Sequence, residues 1–398
     1  MGVYTEYLDR QMGFDELSKE RKAQLARIAD LRGRDVLVYA ADLNKTQAPI
    51  FITYADLLPI NDQLANLEGD ALDVILETGG GSGEIAEDIV DLLHDKYEDV
   101  AVIVPGTAKS AGTLMVMAAD EILMEPASSL GPIDAQIQWQ GKVFSADALL
   151  EGMDAIKKEV TKTGVLNKAY IPILQGISPG ELQSADNALE FAKKLVTSWL
   201  VKYKFKDWTT HRSTGEPVTE DERKRRAAEI AGQLCDHRTW LTHGRSIKLR
   251  HLEEMRVKIT DYSGNAELAE AIRRYHTLLQ MSFSTNIYKL FETTASQIYR
   301  FQQPATTPVP GQAPPAPDPQ APGPLGGQAS SAQVDFVCNG CGQTSKIQAN
   351  FQPDVPLNEG AIAFPGDNRF TCPQCKTEHD LGDLRRQLEA QVGRPVAK

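Results

Sequence analysis

Long apolar runs are missing from this 398-residue chain. A helix that crosses a bilayer needs about 18–20 consecutive apolar residues, and no stretch approaches that, so no membrane span is expected. Met1 to Lys22 is charged throughout and holds no apolar signal core. Glu6 stands where a myristoylation signal needs Ser or Thr. The expected address is therefore cytoplasmic. Basic residues are also short in supply: 42 Lys and Arg face 54 Asp and Glu, a formal charge of -12. Nucleic-acid proteins carry the opposite bias, so nucleic acid is not an expected partner. Cysteine is scarce, with five in all. Cys235 is isolated and reads as a core thiol. The other four form two pairs, Cys338 with Cys341 and Cys372 with Cys375, which in a reducing compartment read as metal ligands rather than disulfides.

What is present divides the chain into three. With 41% hydrophobic and 24% charged residues a packed core is expected, and residues 1–301 carry its periodicity. Residues 302–333 contain nine of the 22 prolines, four glycines and one charge, Asp318. Such a stretch cannot bury enough apolar surface to offset its ordering entropy, and it reads as an extended Pro-rich linker. Residues 334–398 hold the cysteine pairs and a charged helix or tail.

Within residues 1–301 four short apolar runs read as strands: Asp35–Ala41, Leu72–Thr78, Val100–Pro105 and Glu121–Glu125. Between the second and third, Ser82 is an N-cap for a helix with Ile85, Ile89, Leu92 and Leu93 on one face. Strand, helix and strand at this spacing predict an α/β fold with parallel pairing. Further helices are predicted over residues 184–203 and after the capping box of Thr219 and Glu222.

Two small-residue segments could carry chemistry. Glu77-Thr-Gly-Gly-Gly-Ser-Gly83 lies between a strand and a helix. The Walker lysine and the dinucleotide fingerprint are both absent, which leaves a tight turn or a nest of amides for an oxyanion. Gly106-Thr-Ala-Lys-Ser110-Ala-Gly-Thr follows the next strand and sets a hydroxyl at a helix N-terminus, as an N-cap or as a nucleophile. In a parallel sheet these two strand ends lie side by side. The amides of Gly80, Gly81 and Ala111 could then hold an oxyanion beside Ser110, the layout for acyl transfer.

These motifs, with Asp120-Glu-Ile-Leu-Met-Glu-Pro-Ala-Ser-Ser-Leu-Gly-Pro-Ile-Asp134 and Thr239-Trp-Leu-Thr-His-Gly-Arg-Ser-Ile-Lys-Leu-Arg-His-Leu252, resemble the Clp-fold serine peptidases. The segment is most similar to the signal peptide peptidase A group and within it to the serine dehydrogenase proteinase family. The resemblance covers roughly residues 30–265. It implies a ClpP/crotonase-like ββα superhelix, active sites enclosed in a homo-oligomer, and hydrolysis of protein or peptide substrates. A Clp-type triad would set a His some two dozen residues after the nucleophile, where this chain has Ile133 and Asp134; Pro132-Ile-Asp134 reads as a structural turn. The signal peptide peptidase group instead uses a Ser–Lys dyad, whose lysine must lose its charge by burial. That implies Lys168 or Lys162 as the base, Lys168 leading into an apolar segment. Lys157 and Lys158 share a polar patch with Glu159, and Lys109, adjacent to the nucleophile, is expected to point elsewhere. His237, His243 and His251 fit no helical ligand spacing and read as structural or partner-binding.

Four thiolates at Cys338, Cys341, Cys372 and Cys375 suit tetrahedral Zn²⁺ in a closed, structural site, and the module resembles a zinc ribbon whose metal supplies folding energy. The expectation is a cytoplasmic serine peptidase with a zinc-ribbon appendage. Two other readings use parts of the same pattern: a crotonase-type acyl-CoA enzyme, which shares the oxyanion hole but works with carboxylates, and a non-catalytic scaffold whose ribbon recruits partners.

Overall fold

The computed structural model describes residues 2–302 and 331–397, other than 140–141, 212–213, 339–340, 342, 354 and 393–394. The chain forms two units, Met1–Thr306 and Thr307–Lys398. Of the stretch read as a linker, residues 303–330 lie outside the described residues. Its last three residues are already strand, Ser331, Ala332 and Gln333 pairing with Asn350, Ala349 and Gln348.

A seven-stranded sheet organises the first unit. In chain order its strands are β1 (Asp35–Ala41), β2 (Ala71–Glu77), β3 (Asp99–Ile103), β4 (Glu121–Met124), β5 (Thr260–Asp261), β6 (Ile287–Glu292) and β7 (Gln297–Phe301). Their spatial order is β7-β6-β1-β2-β3-β4-β5. Strands β1 to β5 are parallel, while β6 and β7 add an antiparallel edge. Alternation along each strand feeds two cores. Val36, Val38, Ala40, Ile75, Ala101, Ile103 and Leu123 meet the helices Phe14–Arg32 and Ala266–Phe283. Leu37, Tyr39, Val74, Leu76, Val102 and Ile122 meet the helices Gly83–Lys96, Ala111–Met117, Pro179–Trp199 and Glu220–Cys235. The α/β class expected from the sequence is borne out.

The predicted helix starts follow their capping chemistry. Ser82 Oγ accepts from Ile85 N–H at 3.1 Å, and Thr219 and Glu222 cap each other's amides. The helix predicted over residues 184–203 begins earlier, at Pro179, because Ser178 and Glu181 form a capping box, and it closes in a π-turn over Leu200–Lys204.

A second, shorter ladder crosses the carboxyl ends of β2, β3 and β4. Thr107–Ala108 pairs in parallel with Ser129–Leu130. Bridges Ile52–Gly81, Thr78–Ala108 and Leu130–Ile247 extend it on both sides. Backbone segments far apart in sequence therefore run side by side at one end of the sheet.

The second unit pairs Ser331–Val337 antiparallel with Thr344–Asn350, which Ala361–Ala363 joins in parallel. A hairpin of Arg369–Thr371 and Glu378–Asp380 follows, then a helix over Gly382–Val392.

One buried ion pair ties the helix Phe14–Arg32 to the antiparallel edge. Arg21 meets Glu292 at 2.8 Å, with 1% and 0% of the two side chains exposed. Ser282 Oγ and Tyr299 Oη accept from Arg21, and Tyr275 Oη donates to Glu292. These bonds offset the desolvation of both charges. Arg21→Ala, which strands the Glu292 carboxylate, is expected to cost about 3–5 kcal/mol in a urea-denaturation midpoint. Arg10→Ala, in an exposed pair with Glu16, is expected to leave that midpoint nearly unmoved.

Candidate active site

Lys109 and Ser110 link the strand end at Ala108 to the helix Ala111–Met117, and the backbone of Ser110 is unusual. Its φ is 50° and its ψ is -116°, a left-handed conformation that a side chain strains to adopt. An N-cap serine has an extended backbone and spends its oxygen on a helix amide. Ser110 does neither: its side chain makes no capping bond, and among the described residues its Oγ has no hydrogen-bond partner. A strained strand-to-helix turn that lifts a hydroxyl clear of its own backbone is the geometry of a nucleophile elbow.

The triple-glycine turn is built against that elbow. Gly80 has φ 99°, and a Cβ placed there would stand 2.7 Å from Ser110 Cβ and 2.8 Å from Lys109 O. Gly81 has φ 148°, and a Cβ there would stand 2.4 Å from Ile52 N. Both approaches exclude any side chain. The Gly80 amide donates to Thr78 Oγ1 at 3.2 Å. The amides of Gly81 and Ala111 have no hydrogen-bond partner among the described residues, and both residues line the same cleft as Ser110.

That cleft has a volume of about 640 Å³. Leu114, Ile133 and Phe191 make its apolar wall, and Asp134 and His243 also line it. Asp134 is more than the turn residue the sequence suggested. Its carboxylate, 5% exposed, faces Nδ1 of His243 at 3.7 Å and Nδ1 of His237 at 3.7 Å, and accepts from Ser145 Oγ at 2.6 Å. Burial would raise the Asp134 carboxyl, but the facing His243 imidazole, the Ser145 hydroxyl and the nearby His237 outweigh it and hold it below the usual carboxylate range. His243 was given no catalytic role by the sequence. Its placement comes from the Leu130–Ile247 bridge, for which no local spacing rule gives a signal.

The structure does not bring the expected lysine bases to Ser110. Lys162 and Lys168 are exposed, and neither lines the cleft. The helix Ala146–Thr163 packs Leu149 and Leu150 against the Ala185 and Leu189 face of its neighbour, and Lys162 in its last turn stays in solvent. Lys109 points away from the nucleophile, as expected. Its Nζ donates to Gly244 O and Arg245 O at 3.2 Å and to Ser246 Oγ at 3.1 Å. Burial, and then the charge of Lys248, lower its pKa. Cys235 is a buried thiol pushed up to about 12 by desolvation, consistent with a core role.

In the second unit the Sγ atoms of Cys338, Cys341, Cys372 and Cys375 all lie within 4.8 Å of one another and could hold a metal ion. Cys338 and Cys375 are 3.4 Å apart, and Cys341 and Cys372 3.7 Å. A tetrahedron with metal–sulfur bonds of about 2.3 Å has edges of about 3.8 Å, so the four donors fit one.

Residues 11–167 match the family of ClpP-like SDH-type serine proteinases. The resemblance read from the glycine and serine motifs is borne out, and with it a ClpP-like α/β fold. An uncharacterised protein of Methanocaldococcus jannaschii is 39% identical over 136 residues, which are 33% of this chain and 47% of that protein. A second uncharacterised protein of that organism is 41% identical over 66 residues, 17% of this chain and 23% of that protein. The chain thus spans less than half the length of these curated relatives. A solved mutant of the 1510-N membrane-bound stomatin-specific protease is similar at TM-score 0.32 and 15% identity, covering 56% of this chain and 79% of that one. A ClpP1 mutant from Listeria monocytogenes is similar at TM-score 0.28 and 12% identity, covering 60% and 97%.

In the folded chain the Asp134 carboxyl ionises below the ordinary aspartate value of 3.8. Its ionised form therefore adds stability that is complete above that value and is lost as pH falls through the lower, folded one. The stability gap between the wild type and Asp134→Asn is expected to narrow as pH drops below about 4, in urea titrations followed by circular dichroism.

Proposed function

We propose, on the match of the N-terminal segment to ClpP-like SDH-type serine proteinases, that the first unit is a serine peptidase in which Ser110 is the nucleophile. The observation that carries this reading is the strained, uncapped Ser110 beside two unpartnered amides in one cleft. Ser110 Oγ attacks the carbonyl of a peptide substrate. The amides of Gly81 and Ala111 receive the negative charge that develops on its oxygen, an electrostatic contribution worth about 10²–10³ in rate per donor in comparable sites. Gly80 lets the turn close on Ser110, and its own amide is occupied by Thr78. Leu114, Ile133 and Phe191 offer an apolar seat for a substrate side chain. Among the described residues no lysine lines the cleft, so support for a Ser–Lys dyad through Lys162 or Lys168 is lacking.

The chain works as a homo-oligomer in this reading. Phe51 on the cleft wall and the nearby Tyr54 and Leu58 are 51%, 77% and 75% exposed, an apolar surface that a second copy would cover. Among the described residues no helix is long and apolar enough to cross a membrane, and the four-thiol cluster fits a reducing, cytoplasmic setting. The second unit is a zinc ribbon: Cys338, Cys341, Cys372 and Cys375 would hold Zn²⁺, which supplies folding energy to a module with a small core of its own.

Incubation with a fluorophosphonate probe is expected to label the wild type at Ser110, and Ser110→Ala is expected to abolish labelling with its melting temperature little changed. Labelling that persists at another residue would falsify the assignment. For the second unit, elemental analysis of the purified chain is expected to find one zinc per chain. Cys372→Ser is expected to lose that zinc and the dispersed amide resonances of residues 331–397, while probe labelling of Ser110 continues.

A further inference from the structure

We propose that His243, oriented by Asp134, is the base that takes the proton of Ser110. The inference rests on Ser110 being the nucleophile and adds the group that activates it.

Three strands of observation converge. First, Ser110, Asp134 and His243 line one cleft, whereas His237, at the same distance from Asp134, does not. Second, the ring of His243 is set for the task. Its Nδ1 is buried, lacks a hydrogen-bond partner among the described residues and faces the Asp134 carboxylate at 3.7 Å. An imidazole whose Nδ1–H is aimed at a fixed carboxylate presents an unprotonated Nε2 on its opposite edge. Asp134 is itself held by Ser145 Oγ at 2.6 Å. Third, the loop that carries His243 is fastened to the nucleophile's own segment. Leu130 and Ile247 exchange both backbone hydrogen bonds at 2.9 Å, and Lys109, next to Ser110 in the chain, holds Gly244, Arg245 and Ser246. With three acceptors for its three protons, Lys109 is a clamp rather than a base.

The steps balance. As Ser110 Oγ bonds to the acyl carbon, its proton passes to His243 Nε2. As the C–N bond breaks, the same proton goes to the departing amine. Water then attacks the acyl-serine, giving one proton through His243 back to Ser110 Oγ and leaving a carboxylic acid, which releases its remaining proton to solvent. Asp134 touches no reacting atom; it is a positioning residue. Ser110 and His243 share no hydrogen bond in the free chain, and contacts of this kind tighten when substrate fills the cleft.

The test uses the full-length chain and a fluorophosphonate probe, with the adduct located by peptide mass mapping and its rate followed against pH. The wild-type rate is expected to rise with pH through a single step. His243→Ala is expected to slow labelling about 10²–10⁴-fold, to erase that step, and to recover part of the rate in added imidazole. His243→Gln serves the same purpose should the alanine variant fail to fold. Asp134→Asn is expected to slow labelling and displace the step. The other charged groups around the pair are His237, which also faces Asp134, Glu84, which lines the cleft, and Asp147 and Lys109, which bond the backbone at His237 and Gly244, so the displacement is read against His237→Gln. Lys162→Ala and Lys168→Ala are expected to change neither rate nor step. A His243→Ala chain that labels at the wild-type rate with its pH step intact overturns the assignment but leaves Ser110 as nucleophile. Loss confined to a Lys162 or Lys168 variant overturns it too and returns the base to lysine. A wild type never labelled at Ser110 removes the peptidase reading itself, and the base with it.

Discussion

A short backbone ladder at the end of the main sheet is the constraint on which the site depends. Parallel bridges from Ile52 to Gly81 and from Thr78 to Ala108 draw the glycine turn against the segment before Ser110. At that approach no Cβ fits at Gly80 or Gly81. The chain then has to turn from strand into helix within two residues, Lys109 and Ser110, and Ser110 absorbs the turn with a positive φ. A serine in that conformation cannot cap its helix, so its hydroxyl stays available. Strain at Ser110 and glycine at 80 and 81 are two sides of one geometric demand.

The sheet beneath makes the demand affordable. Its central strands are buried on both faces, so β2, β3 and β4 are held in register by burial that no single contact supplies. Local backbone strain of about 1–3 kcal/mol persists only where the surroundings over-determine it. The charged groups follow the same logic: Arg21 with Glu292 and Lys289 with Asp56 are enclosed but fully bonded. At the cleft, by contrast, two amides, one hydroxyl and one imidazole nitrogen lack partners among the described residues.

How much of this could be read beforehand differs by residue. Strands β1 to β4 were legible to within two residues because apolar runs of strand length end at turns, and Ser82 and Thr219 were legible as caps because capping is local. Ser110 and the triple glycine were legible as a pair because parallel strands align their carboxyl ends. The lysines were chosen on a signal that does not reach the tertiary structure. An apolar neighbourhood in sequence, such as the one after Lys168, says nothing about which side of a short helix meets the core, and the structure leaves Lys162 and Lys168 in solvent. His243 was passed over because its spacing to other histidines was weighed, whereas its position is set by the pairing of Ile247 with Leu130.

Residue chemistry and local periodicity alone determined the α/β class, the helix starts, the serine with its glycine turn, and the four thiols grouped for a metal. All of these rest on interactions within a few residues or on the regular geometry of adjacent strands. Which groups share the cleft with Ser110 was decided only by the tertiary structure. Long-range backbone pairing carries the loop of His243 across the fold to Asp134, and a hydrogen bond between remote strands leaves no periodic trace in the order of the residues it joins.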